Sequence, residues 1–208
     1  MLTKLKKTIQ GWITAEARVM HRIGFTPNGV SALGVALGVA SGLAFWAAGT
    51  VSEEPYFYGI YSLSALILLL VSGFCDALDG TLARLYGKVS VAGGFLDSLL
   101  DRYVEAAVYC GLILGGLCDI SWGLLALIGS LLTSYVRARS EAAGVPMETI
   151  GIVERAERLL IIAAASILSL VWLEALRWSI FLLAFVTNLT VFQRVAYFSR
   201  KVGSKQKE

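Results

Sequence analysis

Charged residues are scarce in this sequence. Asp, Glu, Lys and Arg together make up 16% of its 208 residues, whereas hydrophobic residues make up 57% and the mean hydropathy is +0.71. A soluble domain of this size could not hide so much apolar surface. The composition therefore predicts a polytopic membrane protein.

Cysteine and histidine are also rare. The three cysteines lack the spacing of a metal site and indicate no disulfide framework, so they are interpreted as small apolar helix residues. His21 is the only histidine, and we assign it to the membrane interface and not to chemistry. The lysines near the N-terminus precede an amphipathic stretch and not a short apolar core, so we expect no signal peptide.

Apolar stretches long enough to cross a bilayer recur along the chain. We expect six spans, at about residues 27–49, 56–86, 91–117, 120–143, 152–173 and 175–199. Thr26 suits the N-cap of the first span, and Pro27 suits its first helical position. Gly34, Gly38 and Gly42 recur every four residues there, which predicts close packing against another helix.

The predicted fold class is an all-α integral membrane protein with six transmembrane helices plus an N-terminal amphipathic interfacial helix. Residues 1–24 mix apolar and basic side chains, as a cytoplasmic juxtamembrane helix in the membrane interface does. Residues 25–200 form the six-helix domain, and residues 201–208 form a basic cytoplasmic tail. We find no second domain, no long linker and no repeat of the kind seen in transporters with paired halves.

Four acidic residues form two pairs within this apolar sequence. Asp76 and Asp79 are three residues apart, and Asp97 and Asp101 are four apart, so each pair shares one face of a helix. Residues 85–90, which lie between the pairs, contain the glycine and polar residues of a turn. Two antiparallel helices would then bring the four carboxylates together, with Arg84 at the rim.

Four carboxylates so close together repel one another and need neutralisation. Two divalent cations would balance them, and oxygen ligands suit Mg²⁺, Mn²⁺ or Ca²⁺. A pair of such ions is a recurrent device for phosphoryl transfer. An ion-paired or protonated cluster without metal is one alternative, and the binding site of a cation transporter is another. The position of the acids at one membrane face, not at the midplane, counts against transport.

A second group of charges consists of arginines from three other spans. Arg137 ends the fourth span, Arg155 begins the fifth, and Arg194 lies about two turns inside the end of the sixth. Arginine suits bidentate recognition of phosphate. The alternative is anchoring at the membrane surface, with Glu154 and Arg158 as an i,i+4 pair, although Arg194 is too deep for a simple anchor.

The distribution of basic residues predicts the orientation in the membrane. Six spans put both termini on one side, and of the 18 Lys and Arg residues only Arg177 falls on the other side. Positively charged loops face the cytoplasm, so we expect both termini and the carboxylate cluster to be cytoplasmic in a multi-pass protein of the cell membrane.

The acidic segment also resembles a known signature. It reads Asp-x-x-Asp-Gly-x-x-Ala-Arg, eight residues, then Gly-x-x-x-Asp-x-x-x-Asp, and this pattern is similar to that of the CDP-alcohol phosphotransferase family. Every fixed position is met: Asp76, Asp79, Gly80, Ala83, Arg84, Gly93, Asp97 and Asp101. The resemblance extends in size and hydropathy over nearly the whole chain. It implies a homodimeric enzyme of phospholipid biosynthesis that takes a CDP-lipid and releases CMP, with no nucleic acid partner.

The resemblance also implies roles for residues. Asp76, Asp79, Asp97 and Asp101 would hold two Mg²⁺ ions, with Mn²⁺ as a substitute, and Asp101 would also be the general base. Asp76 and Arg84 would contact the CDP-lipid, whether CDP-archaeol or CDP-diacylglycerol, and Asn28 would touch it. Gly80, Ala83 and Gly93 would leave room for the nucleotide, although the same small residues also suit helix packing.

Two further segments, residues 134–139 and 151–159, are similar to the branch of the family that uses inositol phosphate as acceptor, the phosphatidylinositol-phosphate and archaetidylinositol-phosphate synthases. That similarity implies that Arg137, Arg155 and Arg194 hold the acceptor's phosphate, although bacterial members often have lysine at the first position. Glycerol phosphate or another small alcohol is the alternative acceptor. Membrane prenyltransferases also bind diphosphates through Asp clusters, but they would need more spans and two separated Asp-rich motifs.

Overall fold

The computed structural model describes residues 14–147 and 150–205, with side chains up to residue 203. Within these ranges the chain is entirely helical apart from its connections. Helix α1 covers residues 14–22. The six longer helices are α2 (Pro27–Thr50), α3 (Pro55–Leu85), α4 (Val91–Leu114), α5 (Ile120–Ala142), α6 (Arg155–Ser169) and α7 (Ala175–Lys205).

Local sequence fixes the helix starts that matter for the site. The Thr26 hydroxyl accepts a hydrogen bond from the Gly29 N–H at 3.1 Å, and Pro27 begins α2, which confirms the predicted cap. Ser90 caps α4 in the same way, accepting from the Gly93 N–H at 3.0 Å. In the turn between α3 and α4, Gly87 has φ +63°, a left-handed conformation that favours glycine.

Among the residues that the structure describes, four helices are long and apolar enough to cross a membrane: α2, α3, α5 and residues Ala175–Gly203 of α7. The predicted third span forms α4, which is not one of these four and carries four charged residues, Asp97, Asp101, Arg102 and Glu105. The predicted fifth span forms α6, which has only 15 residues. At 1.5 Å per residue it is about 22 Å long, less than the ~30 Å of a hydrocarbon core. The chain is therefore a helical membrane protein, and six spans stay a prediction.

Helix α6 is shorter than the predicted span, and polar side chains form hydrogen bonds at both of its ends. The Glu157 carboxylate accepts from the Glu154 N–H at 2.9 Å, so the helix begins at Arg155. At the other end, the Ser169 hydroxyl bonds to the Ser166 carbonyl at 2.8 Å and to the Tyr58 hydroxyl at 2.7 Å.

The two terminal segments differ from expectation or lie partly outside the described residues. Helix α7 continues to Lys205, so the first part of the segment expected as a tail, residues 201–208, is helical. Residues 206–208 lie outside the described ranges, as do residues 1–13 of the predicted amphipathic helix.

Helix α2 packs on α3 and α4, the two helices that carry the acidic motif. Helix α5 packs on α7. Helix α4 also contacts α5, and helix α6 contacts both α3 and α7, so the two groups of helices are joined. A Cβ atom added to Gly34 would lie 2.9 Å from Cys75 Cβ on α3, and one on Gly42 would lie 2.3 Å from the Ala107 carbonyl oxygen on α4. The glycine repeat is thus a packing surface, as predicted. It holds α3 and α4 against a common neighbour.

Candidate active site

Three of the four predicted carboxylates converge. Asp76 on α3 and Asp97 and Asp101 on α4 each offer a carboxylate oxygen, and these oxygens all lie within 4.8 Å of one another. The short turn at Gly87 and the shared packing on α2 bring the two helices together. Pairs at helical spacing therefore form one cluster, as the sequence predicts.

Asp79 lies beside this group and is tied to α2. It is 6% exposed, and one of its oxygens accepts a hydrogen bond from the Ser31 hydroxyl at 2.5 Å. Asp79 and the three other carboxylates line one small cavity of about 20 Å³, together with Ser31 and side chains of α2 and α4. Sequence reasoning missed Ser31, because nothing near it in the sequence indicates a partner on another helix.

The donor set suits a divalent cation. All of the converging groups are carboxylate oxygens, the ligands that Mg²⁺, Mn²⁺ and Ca²⁺ prefer. Metal–oxygen bonds of about 2.0–2.6 Å place opposite ligands about 4–5 Å apart, which is compatible with the observed separation. The residues present therefore fit a divalent metal.

Arg155 joins the carboxylates to the rest of the site. Its Nη1 atom lies 3.0 Å from Asp76 Oδ2 and 2.7 Å from Asp101 Oδ1. Its Nε atom is buried and has no hydrogen-bond partner among the described residues. Buried donors are normally satisfied, so an unpaired one beside a cavity indicates a place where a ligand's acceptor atom would bind.

A cavity of about 900 Å³ opens next to this arginine. Its polar wall holds Asp76 and Asp101 together with Arg137, Arg155, Arg158 and Arg194. Leucines of α3 and α6 form part of its apolar wall. The volume is in the usual range for small-molecule sites. The structure therefore gathers all three predicted phosphate-binding arginines around a space that includes two of the carboxylates.

The two outer arginines have different surroundings. Arg137 is exposed enough to reach solvent and pairs with Glu141 at 3.0 Å, one turn along α5. Arg194 is 2% exposed and donates from Nε to the Ile150 carbonyl and from Nη1 to the Thr133 carbonyl, both at 2.7 Å. Arg194 thus donates two hydrogen bonds to backbone carbonyls, one in α5 and one in the loop before α6. It is too buried to act as an anchor at the membrane surface.

Among the described residues predicted to contact the CDP-lipid, Asp76 lines the large cavity, whereas Asn28, Gly80, Ala83, Arg84 and Gly93 do not. Arg84 is exposed, bonds to the Thr81 hydroxyl at 3.3 Å and lies over Gly80, and Asn28 is exposed on the first turn of α2. Ala83 is half-buried near the end of α3. A Cβ atom on Gly93 would lie 2.9 Å from Ser90 Oγ, so this glycine also serves the cap of α4.

Sequence reasoning also missed a buried ion pair close to the site. Arg158 donates from Nε and Nη2 to the two oxygens of Glu105, at 2.6 and 3.0 Å. The alternative pairing of Arg158 with Glu154 is therefore wrong, because Arg158 points into the protein. A signal was available, since Glu105 continues the four-residue spacing of Asp97 and Asp101. Arg102 also pairs with an acid, because its Nη1 atom lies 3.5 Å from Asp101 Oδ2.

Known proteins resemble this chain over most of its length. An archaetidylinositol phosphate synthase of Pyrococcus horikoshii is 37% identical over 195 residues, covering 94% of this chain and 95% of the relative. The phosphatidylinositol phosphate synthase of Mycobacterium tuberculosis with CDP-DAG bound has a TM-score of 0.76 and 30% identity, covering 89% of this chain and 92% of that one. The same mycobacterial enzyme has been solved in complex with manganese and citrate, also with a TM-score of 0.76 and 30% identity, covering 89% and 88% of the two chains.

The model of the CDP-alcohol phosphatidyltransferase family matches residues 25–196. This match spans all six long helices up to the last turns of α7, and it confirms the resemblance carried by the acidic signature. It also favours the enzyme prediction over the cation transporter and the prenyltransferase. The chain belongs to the CDP-alcohol phosphatidyltransferase family.

Proposed function

We propose that this membrane enzyme transfers the phosphatidyl or archaetidyl group of a CDP-lipid to a hydroxyl of inositol phosphate and releases CMP. One observation carries the proposal: Asp76 and Asp101 share a cavity with Arg137, Arg155 and Arg194. The carboxylates suit the metal-bound diphosphate of the donor, whereas the arginines suit a second phosphate on the acceptor. An acceptor without a phosphate, such as serine or free inositol, would not require three arginines.

The four carboxylates would hold the metal, as two Mg²⁺ ions or Mn²⁺ in their place. Asp76, Asp79 and Asp97 would bind one or both ions, and Asp101 would complete the set. The Ser31 hydroxyl keeps the Asp79 carboxylate oriented toward the others. When bound, such ions neutralise the negative charge that develops on the diphosphate during transfer.

The donor and the acceptor would approach the carboxylates from different sides. Arg84 and Asn28 would contact the CDP end, while Gly80, Ala83 and Gly93 leave space beside it. The acceptor would occupy the large cavity with its phosphate on Arg137, Arg155 and Arg194. The buried, unpaired Nε atom of Arg155 supports this placement, since a phosphate oxygen would satisfy it.

Asp101 would act as the general base. It would accept the proton of the acceptor hydroxyl while the hydroxyl oxygen forms a bond to the lipid-side phosphorus. The bond between that phosphorus and the bridging oxygen of the diphosphate breaks, and CMP leaves with its phosphate held by Arg84. The position of Asp101 supports this role, because its carboxylate belongs both to the acidic cluster and to the wall of the acceptor cavity.

The membrane arrangement follows from the same proposal. Helices α2 to α7 would all cross the bilayer, with α1 in the interface and with both termini and the site on the cytoplasmic side of a homodimer. The distribution of Lys and Arg supports this orientation. The stacking of His21 on Tyr86, with ring centroids 3.6 Å apart, supports a position of α1 at the end of α3.

An acceptor panel tests the proposal. The purified protein would be supplied with Mg²⁺, with CDP-archaeol or CDP-diacylglycerol, and with inositol phosphate, glycerol phosphate, inositol or serine. We expect CMP release and a new lipid of the matching mass with inositol phosphate alone. Transfer to glycerol phosphate instead would change the acceptor but keep the chemistry. Absence of CMP release with every acceptor would overturn the proposal.

A further inference from the structure

A buried ion pair lies one helical turn from the proposed base. Arg158 and Glu105 are each 1% exposed, and they meet through two parallel hydrogen bonds of 2.6 and 3.0 Å. A bidentate contact between a guanidinium and a carboxylate fixes orientation as well as distance. The pair therefore fixes the orientation of the Arg158 side chain on α6 relative to Glu105 on α4.

This pair continues a second one that belongs to the active site. Glu105 follows Asp101 by four residues on α4, and Arg158 follows Arg155 by three residues on α6, so the members on each helix share a face. Asp101 and Arg155 are themselves 2.7 Å apart. Two ion pairs one turn apart thus join the same two helices, one between partly exposed side chains and one between almost fully buried side chains.

Stability alone is a poor explanation for the buried pair of Arg158 and Glu105. Removing two charges from water is costly, and replacing a buried ion pair by apolar residues of similar size is often neutral or stabilising. Geometry is a better explanation, because Arg155 is the first residue of α6 and its position depends on where that helix begins. A displacement of about 1 Å in a substrate-binding group can lower turnover about 100-fold.

We propose that Glu105 and Arg158 are positioning residues for the transfer reaction: their buried pair holds the first turn of α6 so that Arg155 reaches both Asp101 and the acceptor's phosphate. Neither residue needs to touch substrate, since both act through Arg155. The inference rests on the proposed function, because it assigns the acceptor's phosphate to Arg155.

The decisive variant replaces both charges at once. In Glu105→Met/Arg158→Met the pair is exchanged for apolar side chains, so we expect an unfolding midpoint in detergent close to that of the wild type. We expect the acceptor KM to rise about tenfold or more while the KM for CDP-lipid stays within about twofold, since only Arg155 is misplaced. A folded double variant with the wild-type acceptor KM would overturn the inference, and so would an equal rise in both KM values.

Tyr109→Phe is the matched control. It removes a buried hydrogen bond of 3.2 Å between α4 and Ser130 on α5, one turn beyond Glu105 on the same face of α4, and leaves the ion pair intact. We expect both KM values to be unchanged. If Tyr109→Phe raised the acceptor KM as much as the double variant, the loss of any buried polar contact on α4 would have this effect. That result would refute a specific positioning role for Glu105 and Arg158.

Glu105→Asp keeps both charges of the pair but shortens one side chain by a methylene group, so it tests the same point if the double variant does not fold. We expect a raised acceptor KM with little change for CDP-lipid, and an unchanged acceptor KM would overturn the inference. The wild type in the same assay separates the two proposals. If it transfers to no phosphorylated acceptor, the proposed function fails, whereas normal wild-type transfer with unaffected variants refutes the positioning role alone.

Discussion

Asp101 Oδ1 and Arg155 Nη1 lie 2.7 Å apart, and the same nitrogen lies 3.0 Å from Asp76 Oδ2. One guanidinium thus contacts two members of the carboxylate cluster and also lines the cavity proposed for the acceptor. A phosphate that binds Arg155 would compete with Asp76 and Asp101 for the guanidinium group that these carboxylates now share. Binding of the acceptor is thereby linked to the charge at the proposed base.

Asp101→Asn separates base catalysis from metal binding. The amide cannot accept the proton of the acceptor hydroxyl, so we expect turnover to fall by about 10²–10⁴-fold. Binding of CDP-lipid should be largely kept, because Asp76, Asp79 and Asp97 remain to hold the metal. Measurements of CMP release and of CDP-lipid binding check this. A loss of CDP-lipid binding equal to that in Asp76→Asn would show that Asp101 is mainly a metal ligand.

Arg155→Ala tests the acceptor assignment. Loss of a charge-assisted hydrogen bond to phosphate costs about 1.5–3 kcal/mol, so we expect the acceptor KM to rise by about 10- to 100-fold. The KM for CDP-lipid should change far less. Arg177→Ala is a suitable control, because that arginine is exposed and pairs with Glu174 and Asp119, away from the cavity. Equal effects of Arg155→Ala on both substrates would contradict the acceptor pocket.

Local sequence was enough to predict most helices and the acidic cluster. The predicted spans at 27–49 and 120–143 match α2 and α5 to within about a residue, because apolar length and an N-cap such as Thr26 are properties of neighbouring residues. The convergence of Asp76 with Asp97 and Asp101 was also predictable, since helical spacing and one short turn determine it. The pairing of side chains across helices was not determined in this way.

Two contacts between helices could not be predicted from the sequence. Ser31 reaches Asp79 from a helix 48 residues earlier in the chain, and only the packing of α2 on α3 brings them together. Arg158 has acidic neighbours at i−4 and i−1 but pairs with Glu105 on α4, while Glu157 accepts from the Glu154 N–H at the start of α6. In both cases the tertiary arrangement selects one partner from several that the sequence allows.

Ser31→Ala tests whether this distant contact supports metal binding. The substitution removes the hydroxyl that orients the Asp79 carboxylate, and loss of such outer contacts usually costs 10- to 100-fold in metal affinity or activity. We expect the concentration of Mn²⁺ needed for half-maximal activity to rise by about that factor, with weaker Mn²⁺ binding by electron paramagnetic resonance.

Ser64→Ala is the matched control for that variant. Its hydroxyl is bonded only within α3, to the Ile60 carbonyl at 2.7 Å, so its removal should leave Mn²⁺ binding unchanged. Identical Mn²⁺ titrations for Ser31→Ala and the wild type would show that Asp79 needs no support from α2.

Gly111→Ala tests the packing that aligns the two motif helices. A Cβ atom at Gly111 on α4 would lie 1.9 Å from the carbonyl oxygen of Gly42 on α2, and backbone atoms cannot rotate away as side chains can. Overpacking of this kind costs about 1–3 kcal/mol. For a chain of this size that corresponds to an unfolding midpoint lower by about 5 °C.

Gly59→Ala is the control, because a Cβ atom there meets nothing within 4 Å and alanine has the higher helix propensity. We expect its unfolding midpoint to equal or exceed that of the wild type. Activity should fall with Gly111→Ala even below the unfolding transition, because the clash pushes α2 away from α4 and so moves Ser31, the partner of Asp79, away from the carboxylates of α4. Full activity and an unchanged midpoint in Gly111→Ala would mean that the two backbones do not approach this closely.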